Sequence, residues 1–239
     1  TPWEFSTSVD PSGSAGFFLA TTTGNPDLNF IATEATPDNP VRFAWGIFAN
    51  DGTPVGTVPG LRMAAARRAL TGGDLRSGQS VEIWLEHGDI RSGNLNPQNG
   101  LRDGGWVGVT FRPGTWVFPF TDPLVSTGEV FGMFGVGFQG GGSNYLVYDA
   151  ISPSGRDTGV AFTRDGLRIV FTRVGMNGYE LALKRAVDGE LLGMTTGTIS
   201  GEIGAIVLHN RNAEDNDVFF NNLIVTAPCV ADVDDGTGT

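Results

Sequence analysis

The chain has 239 residues, of which 36 are Gly and 13 Pro, yet 40% are hydrophobic and 10% aromatic; this is a turn-rich composition, too apolar for disorder and long enough for one large all-β domain or two small ones. A balance of 15 Lys+Arg against 26 Asp+Glu gives a net charge of −11, which argues against nucleic acid, and no run approaches the ~18 uncharged apolar residues of a transmembrane segment. The single Cys excludes an intrachain disulfide and a paired-cysteine metal site, and the lone lysine, Lys184, is followed by Arg185 rather than by the Ser or Thr of a phosphate-binding loop.

Alternation and turn signals run from end to end. The segment 12–29 carries Phe17-Phe18-Leu19-Ala20, a Thr-rich run and the turn Gly24-Asn25-Pro26-Asp27. A strand is predicted at 42–49 (RFAWGIFA), stopped by the hairpin signal Asn50-Asp51-Gly52. Residues 61–70 (LRMAAARRAL) have high helix propensity, but a lone short helix among strands is a weak expectation, and strand is placed slightly ahead. The cleanest alternation is 81–86 (VEIWLE). Further strands are predicted at 106–112, 116–120, 130–138, 145–149, 167–174, 179–184, 205–210 and 218–225. Short strands broken by Gly, Asp and Asn predict an all-β sandwich or barrel over 1–226. Residues 227–239 are acidic, Gly-rich and without core residues, so a linker or the truncated start of an anchoring tail is expected there. Almost all basic residues are Arg and Thr, Gly and Asp are abundant, which suits a secreted or cell-surface protein; the opening Thr1-Pro2-Trp3, without Met, fits a processed or trimmed chain.

Residues 44–49 (AWGIFA), 157–163 (DTGVAFT) with 165–167 (DGL), and 219–225 (FFNNLIV) together resemble concanavalin A-like (laminin G-like) β-sandwich modules of secreted bacterial proteins, over about 27–225. The resemblance implies a jelly-roll sandwich of two antiparallel sheets, a concave face that often binds glycans and a frequent structural calcium. It does not imply catalysis. Residues 231–239 are similar to the opening of dockerin-like anchoring repeats, which implies further domains in a longer parent chain and a Cys229 separated from its partner.

On a strand, Val81, Ile83 and Leu85 share one side and Glu82, Trp84 and Glu86 the other. With the aliphatic set in the core, an indole flanked by carboxylates lies on the opposite sheet face. Aromatic rings stack on the C–H faces of sugars and carboxylates accept hydrogen bonds from hydroxyls, so this face is a candidate glycan groove, with His87 and Arg112 as further contacts. The alternatives are that Trp84 packs under a loop or a neighbouring strand, and that His87, before Gly88-Asp89, is a turn residue at a strand end. The same strand resembles the Glu-x-Asp-x-Glu of laminarinase-like glycosidases, which implies Glu82 and Glu86 as nucleophile and acid/base. Trp84 stands where that family has its central Asp, and so the residue that orients the nucleophile is missing. Polysaccharide lyases of the same architecture would need a Tyr or His base with Arg and Gln, for which Tyr145, Tyr148, Tyr179, His87, His209, Arg112 and Gln139 are available; a net charge of −11 disfavours a polyanion unless local arginines overcome it. No GxSxG occurs.

For metal, 210–217 (NRNAEDND) concentrates oxygen donors before the last strand. Asn212, Glu214, Asp215 and Asp217 form a candidate structural calcium set, with Glu4 joining if the first and last strands pair; a solvated acidic turn is the alternative. Taken together, the sequence is read as a non-catalytic glycan-binding or adhesive module. A glycoside hydrolase or polysaccharide lyase of the same fold and a structural spacer are the alternatives.

Overall fold

Side chains of an extended chain alternate between two faces, and in the computed structural model this alternation becomes fourteen strands within the described residues, 2–8, 14–33, 41–50, 63–90, 105–115, 134–211 and 217–226. In chain order they are β1 (Glu4–Ser8), β2 (Ser14–Thr21), β3 (Phe43–Asn50), β4 (Met63–Ala69), β5 (Ser80–His87), β6 (Trp106–Arg112) and β7 (Phe134–Gln139). They continue as β8 (Asn144–Asp149), β9 (Ser152–Ala161), β10 (Leu167–Val174), β11 (Gly178–Arg185), β12 (Leu191–Thr198), β13 (Ala205–Arg211) and β14 (Val218–Thr226). No helix occurs among the described residues. The strand expected at 116–120 and the tail at 227–239 lie outside them.

The strands form two seven-stranded sheets with every pairing antiparallel. One runs β1-β4-β13-β6-β7-β8-β9 and the other β12-β11-β10-β5-β14-β3-β2. This is the all-β jelly-roll sandwich expected from the sequence. The segment 61–70 resolves as strand β4. Paired on both sides, with β1 and β13, it buries Ala64 and Ala66 in the core, and this tertiary context overrides its helix propensity.

The inner faces meet over a core in which Phe111, Phe134, Phe171 and Tyr179 interlock, the Phe111 and Phe171 rings stacking 4.7 Å apart. Each such side chain contributes about 1.5–3 kcal/mol on burial. A second, smaller cluster lies on the outer face of the β5-β14-β3-β2 part of its sheet. There Leu28 and Ile31, from the segment after β2, pack on Ala20, Ala44 and Phe219. Across β6 and β7, Gly108 faces Gly137; a Cβ on either would run into a carbonyl of the partner strand, Val136 O or Val107 O, so this position requires glycine.

Candidate functional site

Strand β5 divides its side chains as the alternation predicts. Val81, Ile83 and Leu85 enter the main core, and Trp84 packs against the outer cluster. What the alternation cannot supply is the cover. The segment 28–33 crosses this face, and Glu86, only 1% exposed, holds it there. Its Oε1 accepts the N–H of Asn29 at 3.0 Å, and its Oε2 accepts those of Phe30 at 3.0 Å and Ile31 at 3.2 Å. Burial pushes the Glu86 carboxyl above its ordinary value, and the three N–H donors offset only part of that rise. The Trp84 indole donates to Glu82 Oε1 at 2.6 Å. Arg168 then closes the group, with its guanidinium carbon 4.5 Å from the Trp84 ring centroid and its Nε 3.1 Å from Glu82 Oε1.

The face expected to be a sugar groove is therefore packed under residues 28–33 at its Glu86 end, while Glu82 and Trp84 stay half-buried. Trp84 has Arg168 on its ring, Glu82 is ion-paired, and Glu86 is a buried loop clamp. His87 is buried as well, facing inward among Phe138, Tyr145 and Phe162. It is the last residue of β5, at the strand end where the sequence put it, with its side chain buried. Its Nδ1 sits 2.7 Å from the Gly88 carbonyl and its Nε2 3.1 Å from the Tyr145 hydroxyl. Burial lowers its pKa to about 4.

Arg112 belongs to a different place, the outer face of the other sheet. Trp106, Arg112, Tyr148, His209 and Arg211 are gathered there, all buried. His209 stacks on Trp106 at 5.6 Å, with Tyr148 edge-on to the same indole at 5.0 Å. Burial and the charges of Arg112 and Arg211 hold His209 near pKa 3. Of the residues weighed for lyase chemistry, the fold thus brings together Tyr148, His209 and Arg112. It leaves Tyr145 on His87 and Tyr179 on Asp149, the latter hydrogen bond 2.5 Å long. Buried side chains offer no surface to a polymer.

The metal set divides too. Strand β1 pairs with β4, not with β14, which lies in the other sheet. Glu4 instead meets Arg67 at 2.9 and 3.0 Å. Asp217 is half-buried, and burial together with the nearby Asp27 charge raises its pKa to about 6. Asn212, Glu214 and Asp215 lie outside the described residues. Among the described residues no three His, Cys, Asp or Glu side chains group as metal ligands.

Among the described residues, a cleft opens between the sheets where β1 and β4 face β2, β3 and β14. Its cause is local. Strand β14 pairs with β3 only through Val218, Phe219 and Phe220, and then bulges between Asn221 and Ile224, with Asn222 in the left-handed region at φ 53°. The two sheets part at this corner, and opposite β3 the inner face of β4 offers the small Ala66. A cavity of about 140 Å³ results, lined by Trp3, Phe5, Phe17, Trp45, Arg68 and Leu223 among others. Phe5 and Phe17 touch across the sheets at 4.7 Å. Trp45 remains 49% exposed although it shares a strand face with the buried Ile47. Arg68 lies over the Trp3 ring at 5.6 Å. The sequence places Trp45 in a strand but does not reveal this site, because its walls come from seven strands, β1 to β5, β13 and β14, that only the topology brings together.

No protein-family model matches the chain, and no curated protein matches it. Solved structures do. The legume lectin-like domain from Entamoeba histolytica matches with TM-score 0.44 and 9% identity over 76% of this chain and 83% of that one. The exoplasmic/lumenal domain of VIP36 in its Ca2+-bound form matches with TM-score 0.40 and 8% identity, over 94% and 85%. The binding domain of botulinum neurotoxin DC, solved with rat synaptotagmin II, matches with TM-score 0.39 and 10% identity, over 88% of this chain and 43% of that one. At these values the likenesses concern the course of the chain alone.

Proposed function

We propose that this chain is a non-catalytic glycan-binding module, working in a secreted or cell-surface protein, and that its ligand lies in the Trp3–Trp45 cleft. One observation carries the reading. Two tryptophans and two phenylalanines border an open cleft with a guanidinium and an Asn at its rim, the combination of ring faces and hydrogen-bonding groups that a pyranose uses. The state of the β5 carboxylates supports binding over hydrolysis. A retaining or inverting pair must flank a cleft, whereas Glu86 is clamped under the 28–33 segment and Glu82 is engaged by Trp84 and Arg168.

The test is a glycan array on wild-type protein and Trp45→Ala, run beside a reducing-end assay on the same polysaccharides. Removal of a stacking aromatic costs about 1–3 kcal/mol of binding, and Trp45, half exposed, costs little stability. Glycan binding that survives Trp45→Ala unchanged overturns the site, and release of reducing ends overturns the non-catalytic assignment.

A further inference from the structure

We propose that the cleft selects a sugar bearing a single carboxylate, recognised by Arg68; this rests on the glycan-binding reading above and adds the chemical class of the ligand. A second hollow of about 400 Å³ shares Arg68 and Leu223 with the aromatic cavity and adds Ala69, Leu70, Thr71, Gln79 and Val225. Arg68 therefore stands at the junction of an apolar half and a polar half. Its neighbour Arg67, on the opposite face of β4, is occupied by Glu4. Arg68 itself has no ion pair among the described residues. Its guanidinium carbon lies 5.6 Å from the Trp3 ring centroid, within cation–π reach, and a guanidinium held over a ring face can still present N–H donors to a planar oxyanion.

Besides Arg68, the polar side chains of the second hollow are Thr71 and Gln79, and both can donate. Gln79 already uses its Oε1 to accept the Arg76 N–H at 2.6 Å, so what it has left is its amide NH2; Thr71 adds a hydroxyl. Among the described residues no Asp or Glu lines either hollow, although acidic residues outnumber basic ones 26 to 15 over the chain. A carboxylate fits this arrangement, with its sugar ring against the aromatic half. The same net charge of −11 repels a polyanion, so the occupant is a glycan with one acidic residue in an otherwise neutral chain, not a polyuronate.

Lactose-core oligosaccharides capped by one glucuronic, galacturonic or sialic acid, each beside its carboxyl-reduced counterpart, test this on wild type, Arg68→Gln, Arg68→Lys and Trp45→Ala. Melting curves establish that each variant is folded. At least one acid-capped sugar should bind wild type about tenfold tighter than its reduced partner at low salt, since one charge-assisted pair is worth about that factor. The preference should shrink as salt is raised. Arg68→Gln should abolish the preference of acid over reduced sugar, Arg68→Lys should keep part of it, and Trp45→Ala should weaken both ligands. Equal binding of acid and reduced sugars by wild type overturns the carboxylate assignment and leaves the glycan reading standing. An acid preference that Arg68→Gln does not alter removes Arg68 from the site. Failure of wild type to bind any member of either series overturns both. The wild-type comparison decides the question even if Arg68→Gln does not fold.

Discussion

Replacement of Glu86 by Ala tests whether this carboxylate is a structural clamp or a functional group. Its loss strands three backbone donors. The Asn29 residue is exposed and its N–H regains water, but Phe30 is half-buried and Ile31 is fully buried. Leaving a buried donor unsatisfied costs about 1–3 kcal/mol, so two of them predict a loss of about 2–6 kcal/mol. Glu86→Gln keeps one acceptor oxygen and should lose roughly half as much. Urea unfolding followed by tryptophan fluorescence gives these values from the shift in midpoint at constant m. Amide exchange adds a local readout, because the Phe30 and Ile31 N–H groups should lose protection in Glu86→Ala before the core strands do. The pH dependence follows from the direction of the shift. With its folded value raised above the unfolded one, the Glu86 contribution is fully present below the ordinary carboxylate value and is lost as pH rises through the folded value; Glu86→Gln lacks that decline. A Glu86→Ala protein within about 1 kcal/mol of wild type, with Phe30 and Ile31 still protected, would refute the clamp.

Other predictions concern the packed faces. Trp84→Ala should cost about 2–4 kcal/mol of stability, since it empties part of the outer cluster and removes the stacking partner of Arg168; a stability loss near zero together with lost glycan binding would return the site to this face. Gly137→Ala should destabilise by about 1–3 kcal/mol by forcing a Cβ against the Val107 carbonyl, and an unchanged urea midpoint would contradict that close approach. His87 and His209, with pKa values lowered to about 4 and about 3, are neutral when folded but take up protons on unfolding below about 6.5. Stability should fall as pH drops through that window, by about 1.4 kcal/mol per unit for each histidine; an imidazole signal titrating near 6.5 in the native protein would contradict the burial.

Much of the architecture was legible because half-buried strands print their faces in the sequence. Residues 81–86 gave the two sides of β5, and 167–174 and 106–112 match β10 and β6 to the residue. Strands β9 and β12 escaped for the converse reason. Both are edge strands with many exposed positions, and SPSGRDTGVA and LLGMTTGT carry little apolar alternation to read. The face of Trp84 could be assigned from its neighbours, but not its cover, because the three N–H groups that hold Glu86 come from residues 55–57 positions earlier in the chain. Arg112 and His209 carry no joint signal in sequence, since only the β6–β13 pairing places them on one face. The cleft was hidden in the same way. It depends on a bulge at Asn221-Asn222 and on the small Ala66 lying opposite Trp45, and neither is a local pattern.

The central claim is that ligand enters between the sheets and not on the outer face of β5. The indole N–H resonances of a 15N-labelled sample read this directly as an acid-capped lactoside is added. The account predicts that the signals of Trp3 and Trp45 shift while those of Trp84 and Trp106 stay in place. Saturable shifts at Trp84 with Trp3 and Trp45 unmoved would contradict it.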